Sequence, residues 1–510
     1  TTGAQHQLIA GGAQIGNLGR SSISGSSPSN RVSSAVSTTS NVTSGTTAGI
    51  LPGAIIDTGG LNVGAQQKLD FSGRTGGLAG GAGAVGIGVA VVNIDADVTA
   101  FIAPQVAVTG HSASGDVNVS ANLGSNVSVL GFAGAISGFV SLGGAVSFVT
   151  DTSSARAMIG AMPAVDSNDL LTQEASSASF ATAITGVRSV KVSSSATINH
   201  YLADGAAAVS GVAGLGAAVV SDTVTGTAHA IIGQYTEIGT VGASVGGDVE
   251  VDAIRAVSIN PLNAGLPMSI AIGGGILGVA AGATLLNVGG TVNARIGDGA
   301  AIYAAGDVDV HATGTVTADK LDIIGEAIGG IAVGIVIAHV KIDPTVNAGV
   351  GKNAVVRGRN VTVAANNTVT GKVTGIAAGG GVFSGQGLDI RMEVDPTTSV
   401  LVDQGAQIAA TQAVSVVSTS TATSSADGQA GNYGGVVVII GGSTSTLKNN
   451  NSATVGSNAV ISGGSTVTVL ANSSNTATAT GDGGGGALVA VVRADTTVNH
   501  TDRTSTSIGA

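Results

Sequence analysis

The chain has 510 residues, of which 82 are Gly and none is Cys or Trp, with 2% aromatic and 10% charged residues and a formal net charge of −11. The absence of cysteine excludes disulfide staples and thiolate metal sites, and the lack of Lys/Arg clusters and base-stacking aromatics argues against a nucleic-acid partner. Low charge with many Val, Ile and Ala residues argues against disorder, and only 8 Pro without a Gly-X-Y register excludes collagen.

Residues 1–52 are rich in Ser, Thr and Gly and read as an N-terminal cap, a linker or an irregular first coil. The start, Thr1-Thr2-Gly3-Ala4, has neither the basic residues nor the apolar stretch of a secretion signal. A repeat array is then expected over residues 53–510. Its mark is a four-residue strand signature, first Asp116-Val117-Asn118-Val119, then Ser189-Val190-Lys191-Val192, Asp248-Val249-Glu250-Val251 and Asp307-Val308-Asp309-Val310. Asn360-Val361-Thr362-Val363, Ala413-Val414-Ser415-Val416 and Thr466-Val467-Thr468-Val469 follow. The starts lie 73, 59, 59, 53, 53 and 53 residues apart. Each copy alternates valine with mostly polar residues, as a half-buried strand does. A fixed period of this length denotes one supersecondary unit stacked along an axis. The fold class expected is all-β, a repetitive parallel β-solenoid (β-helix) built from modules of 53–59 residues. Because that is long for one turn of a β-helix, two or three coils per module are expected.

Each module also carries a Gly-rich apolar segment, among them 80–92, 131–149, 270–286, 328–340 and 434–442, followed by a polar return ending in an Ile/Val-Gly step. In the first, Val85, Ile87, Val89 and Val91 alternate with Gly86, Gly88 and Ala90. The branched residues are expected to face a packed interior, and the small ones to leave a flat outer face that another sheet approaches. Internal glycine disfavours a helix by about 1 kcal/mol per residue, so the uncharged run 273–290 reads as strand rather than as a membrane-spanning helix. Missing Tyr and Trp girdles disfavour a membrane β-barrel.

The 73-residue spacing contains a loop insertion near 161–180, with Pro163 to Ser176 as its centre. Asp166 or Ser167 is placed to cap a short helix there, on which Leu170 and Leu171 pack down. The loop is also the best candidate for a special contact. At the other end the chain stops in mid-module at Ile508-Gly509, which reads as a cut from a longer array or an edge covered by another subunit.

Candidate chemistry is sparse. Asp248, Glu250 and Asp252 alternate on one strand face, with Asp307 and Asp309 in the next module, so stacked carboxylates suggest Ca²⁺, against the simpler reading of a solvated face. A polysaccharide hydrolase needs paired carboxylates, for which Asp319, Asp322, Asp389, Glu393 and Asp395 are available, yet sugar-stacking aromatics are few. His6, His111, His200, His229, His311, His339 and His500 show no metal-ligand spacing. No catalytic residue, metal ligand or cofactor is assigned, and no enzymatic activity is expected.

The module order is a Gly-rich apolar strand, then Thr-Val-Asn-Ala-x-Ile/Val-Gly (291–297, 345–351), then Asp/Asn-Val-x-Val. It resembles the repeats of bacterial filamentous adhesins of the leukotoxin and haemagglutinin type, and autotransporter-passenger repeats. Residues 76–119, 271–310 and 324–363 carry the resemblance best. It implies export to the bacterial cell surface or secretion, a long β-helix, and adhesion or scaffolding without catalysis. The expectation is thus an extracellular structural or adhesive rod that self-associates, head-to-tail or laterally, into a filament or surface layer. The alternatives are a ligand-binding segment of a larger adhesin that contacts a host or neighbouring-cell surface, and a polysaccharide-processing β-helix enzyme.

Overall fold

The computed structural model describes residues 31–111, 115–163, 172–263 and 266–509. All but one of the strand ladders among them are parallel, and they join equivalent positions of successive modules. Val117 pairs with Val190, Val190 with Val249, Val249 with Val308, and Val308 with Val361. Val361 then pairs with Val414, and Val414 with Val467. The fold is the expected all-β parallel solenoid. One module is one complete rung, however, and not two or three coils.

The rung 308–360 shows how so many residues fit one turn. Strand Val308–Ile342 runs outward, reverses at Gly329-Gly330 and returns; Thr345–Val350 continues the return, and Val355–Gly358 closes the base. The two limbs face each other along their length. A Cβ added to Gly325 would lie 2.7 Å from the Ile335 carbonyl oxygen, and one on Gly314 would lie 2.5 Å from Val346 Cγ2. Backbone hydrogen bonds run to the rungs above and below, so the limbs pack by their side chains alone. The limbs form a 16-stranded sheet, and the short base strands form an 8-stranded one.

The described rungs are wide in cross-section. At about 3.3 Å per residue, 308–329 spans about 70 Å, whereas nine rungs about 4.8 Å apart rise only about 40 Å. The described chain is a blade, broader than it is tall.

The blade tapers from base to tip, and the sequence sets the taper. Near the base the limbs are held apart by a continuous Val/Ile core that includes Val308, Val310, Ile342 and Val346. Towards the tip of four successive rungs alanines meet, in pairs such as Ala133 with Ala145 and Ala327 with Ala332. Closer still, glycine is required. A Cβ on Gly86 would sit 2.3 Å from the Gly134 carbonyl oxygen and 2.7 Å from that of Gly77, both backbone atoms that cannot swing away. The expected facing is therefore inverted. Gly86, Gly88 and Ala90 are buried, while Val85, Val89 and Val91 are only half-buried and Ile87 is 37% exposed. Small residues do admit a close neighbour, as expected, but the neighbour is the other limb of the same rung.

At the base corner a single residue turns the chain with positive φ: Gly53 at 79°, Gln105 at 65°, Tyr235 at 54°, Gly299 at 67°, Asn353 at 55°, Gly405 at 70° and Asn458 at 56°. Glycine and asparagine populate this left-handed region at least cost.

The boundary drawn at residue 52 does not coincide with a break in the ladder. Arg31–Ile50 is a strand that pairs with residues 83–102 of the following rung. The insertion leaves the solenoid between two strands, as an antiparallel pair of Ala161–Pro163 with Thr172–Glu174, and Ala183–Thr185 then rejoins the base sheet. The helix expected around Asp166 to Leu171 lies outside the described residues. Among the described residues no helix is long and apolar enough to cross a membrane.

Candidate functional site

The acidic face read as a possible Ca²⁺ ladder resolves into two different devices. In four successive signatures the first residue is an inter-rung cap. Ser189 Oγ accepts from the backbone N–H of Asp248 (3.3 Å), Asp248 Oδ1 from that of Asp307 (2.8 Å), Asp307 Oδ1 from that of Asn360 (3.1 Å), and Asn360 Oδ1 from that of Ala413 (3.2 Å). A short side-chain acceptor thus satisfies a donor at the turn where the ladder has not yet begun, as a helix N-cap does. Arg359 adds a two-point contact to Asp307 at 2.9 and 2.7 Å, and Asp307 is held below the usual carboxylate range chiefly by that guanidinium.

Two residues further along, Glu250 and Asp252 point outward together. Lys191 Nζ lies 2.6 Å from Glu250 and 3.6 Å from Asp252, and His311 Nδ1 lies 3.8 Å from Asp252. Burial, then the adjacent Glu250, pushes Asp252 up to about 7, and the two carboxyl groups hydrogen-bond to each other. The Lys191 ammonium group already occupies the space in front of this pair, which leaves it poorly suited to a dication. Among the described residues, no group of three or more His, Cys, Asp and Glu side chains is arranged for a metal ion.

The carboxylates considered for hydrolysis are divided between the two faces of the blade. Asp322 lies on the outer face of the outbound limb, between inward Leu321 and Ile323, with Asp319 beside the bulge between Ala318 and Leu321. Asp389, Glu393 and Asp395 lie on the outer face of the return limb, between inward Ile390, Met392 and Val394. Asp322 therefore cannot flank one glycosidic bond with Asp389 or Glu393. On the return face His339 Nε2 and Arg391 Nε contact Asp389 at 3.0 and 2.8 Å, and Lys448 bridges Glu393 (2.9 Å) and Asp395 (4.0 Å). Burial would raise Asp389, but the hydrogen bonds from His339 and Arg391 outweigh it and hold the group low. An open groove of about 470 Å³ runs here, with His339, Lys341, Arg391 and Glu393 along it.

The tightest cluster of ionisable groups is internal. His200 is fully buried between the limbs. Its Nδ1 lies 3.0 and 2.9 Å from the two carboxylate oxygens of Asp222, and its Nε2 lies 3.2 Å from Asp151 Oδ2. Asp151 also accepts from the Ser153 backbone N–H at 2.9 Å. Burial opposes the charge on His200, yet the two carboxylates overcome it and raise the imidazole to about 10. Buried Arg255 donates from Nη1 to the Gly289 carbonyl oxygen at 2.7 Å and is drawn down to about 10 by burial, against the attraction of Asp151. This Asp–His–Asp arrangement resembles a catalytic relay, but all three side chains are at most 1% exposed, so no substrate reaches it. It is a structural ion network.

Nearer the tip, Asp204 is held by Ser147 Oγ at 2.6 Å, and burial pushes it up to about 7.

Sequence reading did not single out His200, Asp151, Asp222 or Asp204. The signal was present, since His200 has the parity of inward Val190 and Val192, Asp222 that of Val220, and Asp151 that of Val149. Of the insertion expected to make a special contact, Glu174 is described, and burial raises its carboxyl. Residues 164–171, which include Leu170 and Leu171, fall outside the described residues. Among the other histidines, His111 pairs with Asp57 at 3.0 Å, while His6 lies outside the described residues. No protein family matches this chain, and no curated protein or solved structure matches it either.

Proposed function

We propose that the chain is an extracellular structural or adhesive β-solenoid that self-associates into a filament or surface layer, secreted or held at a bacterial surface. The observation that carries this reading is the residue-for-residue register between rungs. Successive modules offer one another long parallel ladders, so the fold converts repetition into an extended face. The resemblance of the module to filamentous-adhesin repeats supports the same reading. Low charge, 10% of residues, limits repulsion between neighbouring copies. Electron microscopy of the purified chain in negative stain, over a concentration series, tests it. Ordered assemblies of constant width are expected, and dispersed particles at every concentration would refute unaided assembly.

One observation favours a second reading, a ligand-binding segment of a larger adhesin. The Ala161–Pro163 and Thr172–Glu174 pair interrupts the parallel ladder with an antiparallel one, as an inserted contact loop would. Replacing 163–172 with a short Gly-Ser linker should then abolish attachment to a target cell surface without changing the fold.

A further inference from the structure

The return limb carries an extended apolar face. In five consecutive rungs, four outward columns contain only Gly, Ala, Val, Leu and Ile. One column stacks Val85, Leu142, Leu215, Val279 and Val333 in direct register. These positions are half-buried or exposed; Val140 is 44% and Ile331 is 47% open to solvent. They face outward because the taper leaves no room for them inside. Charge begins at the next rung, where Asp389 pairs with Ile337 and Arg391 follows. An uncharged patch with a charged rim is the anatomy of a protein interface.

We infer that this face is the lateral contact between two copies of the chain, which rests on the proposed self-association and assigns it a surface. The area fits. Five rungs about 4.8 Å apart and four outward residues about 6.7 Å apart make a face of about 24 by 27 Å, or about 650 Å² per copy. Two such faces bury about 1,300 Å², within the range of stable specific interfaces, and one alone exceeds what most monomers leave exposed. The period fits as well. A second copy brings ridges with the same inter-rung spacing, so contacts made at one rung repeat at the next, a match that a lipid surface or an unrelated globular partner does not offer. The Gly/Ala faces expected to mediate lateral contact are consumed within each rung, and the Val/Ile/Leu face takes that role.

The test uses the full chain. Sedimentation velocity over a concentration series is run on the wild type and on L215K/V279K, whose outward lysines leave the core untouched. The chain has no native cysteine, so A217C, near the centre of the face, and S462C, exposed on the base, report proximity by oxidative cross-linking. The expected result is a wild-type dimer whose dissociation constant rises about tenfold or more in L215K/V279K, with A217C cross-linking and S462C remaining monomeric. Association unchanged in L215K/V279K, or cross-linking through S462C instead of A217C, overturns this surface and leaves self-association standing. A monomer at every concentration overturns both. A monomer that floats with phosphatidylcholine vesicles, and loses that binding in L215K/V279K, assigns the face to lipid and overturns the second copy.

Discussion

Replacing His200 with alanine should be the most damaging single change in the chain. The imidazolium sits between Asp151 and Asp222, and removing it leaves two carboxylates in a space that water does not reach. Breaking a buried ion pair by deleting one partner costs about 3–5 kcal/mol. The raised pKa gives a similar figure, since a rise from 6.5 to about 10 corresponds to about 5 kcal/mol of preferential binding of the proton by the folded state. The sign follows from the direction. A histidine raised on folding contributes fully below about 6.5, and the contribution fades as pH climbs through about 10. The gap between wild type and H200A should therefore be widest near pH 6 and shrink towards pH 10. Unfolding in a solenoid need not be all-or-none, so urea midpoints should be paired with hydrogen exchange of Val117–Asp151 and Val190–Ser210. Loss of protection confined to these and the adjoining rungs is expected. An H200A variant within about 0.5 kcal/mol of wild type at pH 6, with unchanged exchange, would refute the reasoning.

The remaining predictions concern the taper, the caps and a second buried acid. Gly214→Ala places a Cβ 2.2 Å from the Gly274 carbonyl oxygen and 2.4 Å from that of Ala208, so it should destabilise by about 1–3 kcal/mol in urea unfolding, whereas outward Gly385→Ala, with nothing within 4 Å, should not. Asp307→Ala removes an acceptor for the Asn360 N–H and the partner of Arg359, and should cost about 1 kcal/mol, discounted for its partial exposure; Asp307→Asn should recover part of it. Asp204 binds its proton more tightly in the folded state. Its contribution is complete below about 3.8 and lost as pH rises through about 7, so Asp204→Asn should flatten the pH dependence of thermal stability between those values.

Much of the fold was legible because alternation and period are local properties. The valines of Val308 and Val310 fixed both strand and parity, and the 53-residue spacing fixed which residues would pair. What alternation cannot supply is the identity of the inner face. Val85 and Gly86 satisfy the pattern equally with either side inward, and only the convergence of two limbs decides for glycine. The number of coils escapes the sequence for a related reason. Nothing marks Gly329-Gly330 as a reversal rather than one more flexible step inside a strand, although the reversal is what lets 53 residues close a single turn. The acidic signature was legible as an outward row. Its capping role was not, because the donor it serves belongs to the next module. His200 is hidden by its polarity, which suggests the surface although its parity points inward.

Residue-for-residue register also makes the molecule editable by whole modules. Excision of 307–359 would set Val249 against Val361 and Val251 against Val363, like upon like, with the Asp248 side chain now meeting the Asn360 N–H that Asp307 served before. No strand would have to change its inward parity, and no corner would lose its left-handed residue. Loss of a single residue within a limb is a different matter, since it exchanges the two faces for the rest of that limb and drives branched side chains into a space shaped for glycine. The height of the blade can therefore drift by entire rungs through recombination between repeats, while each limb keeps its inward parity.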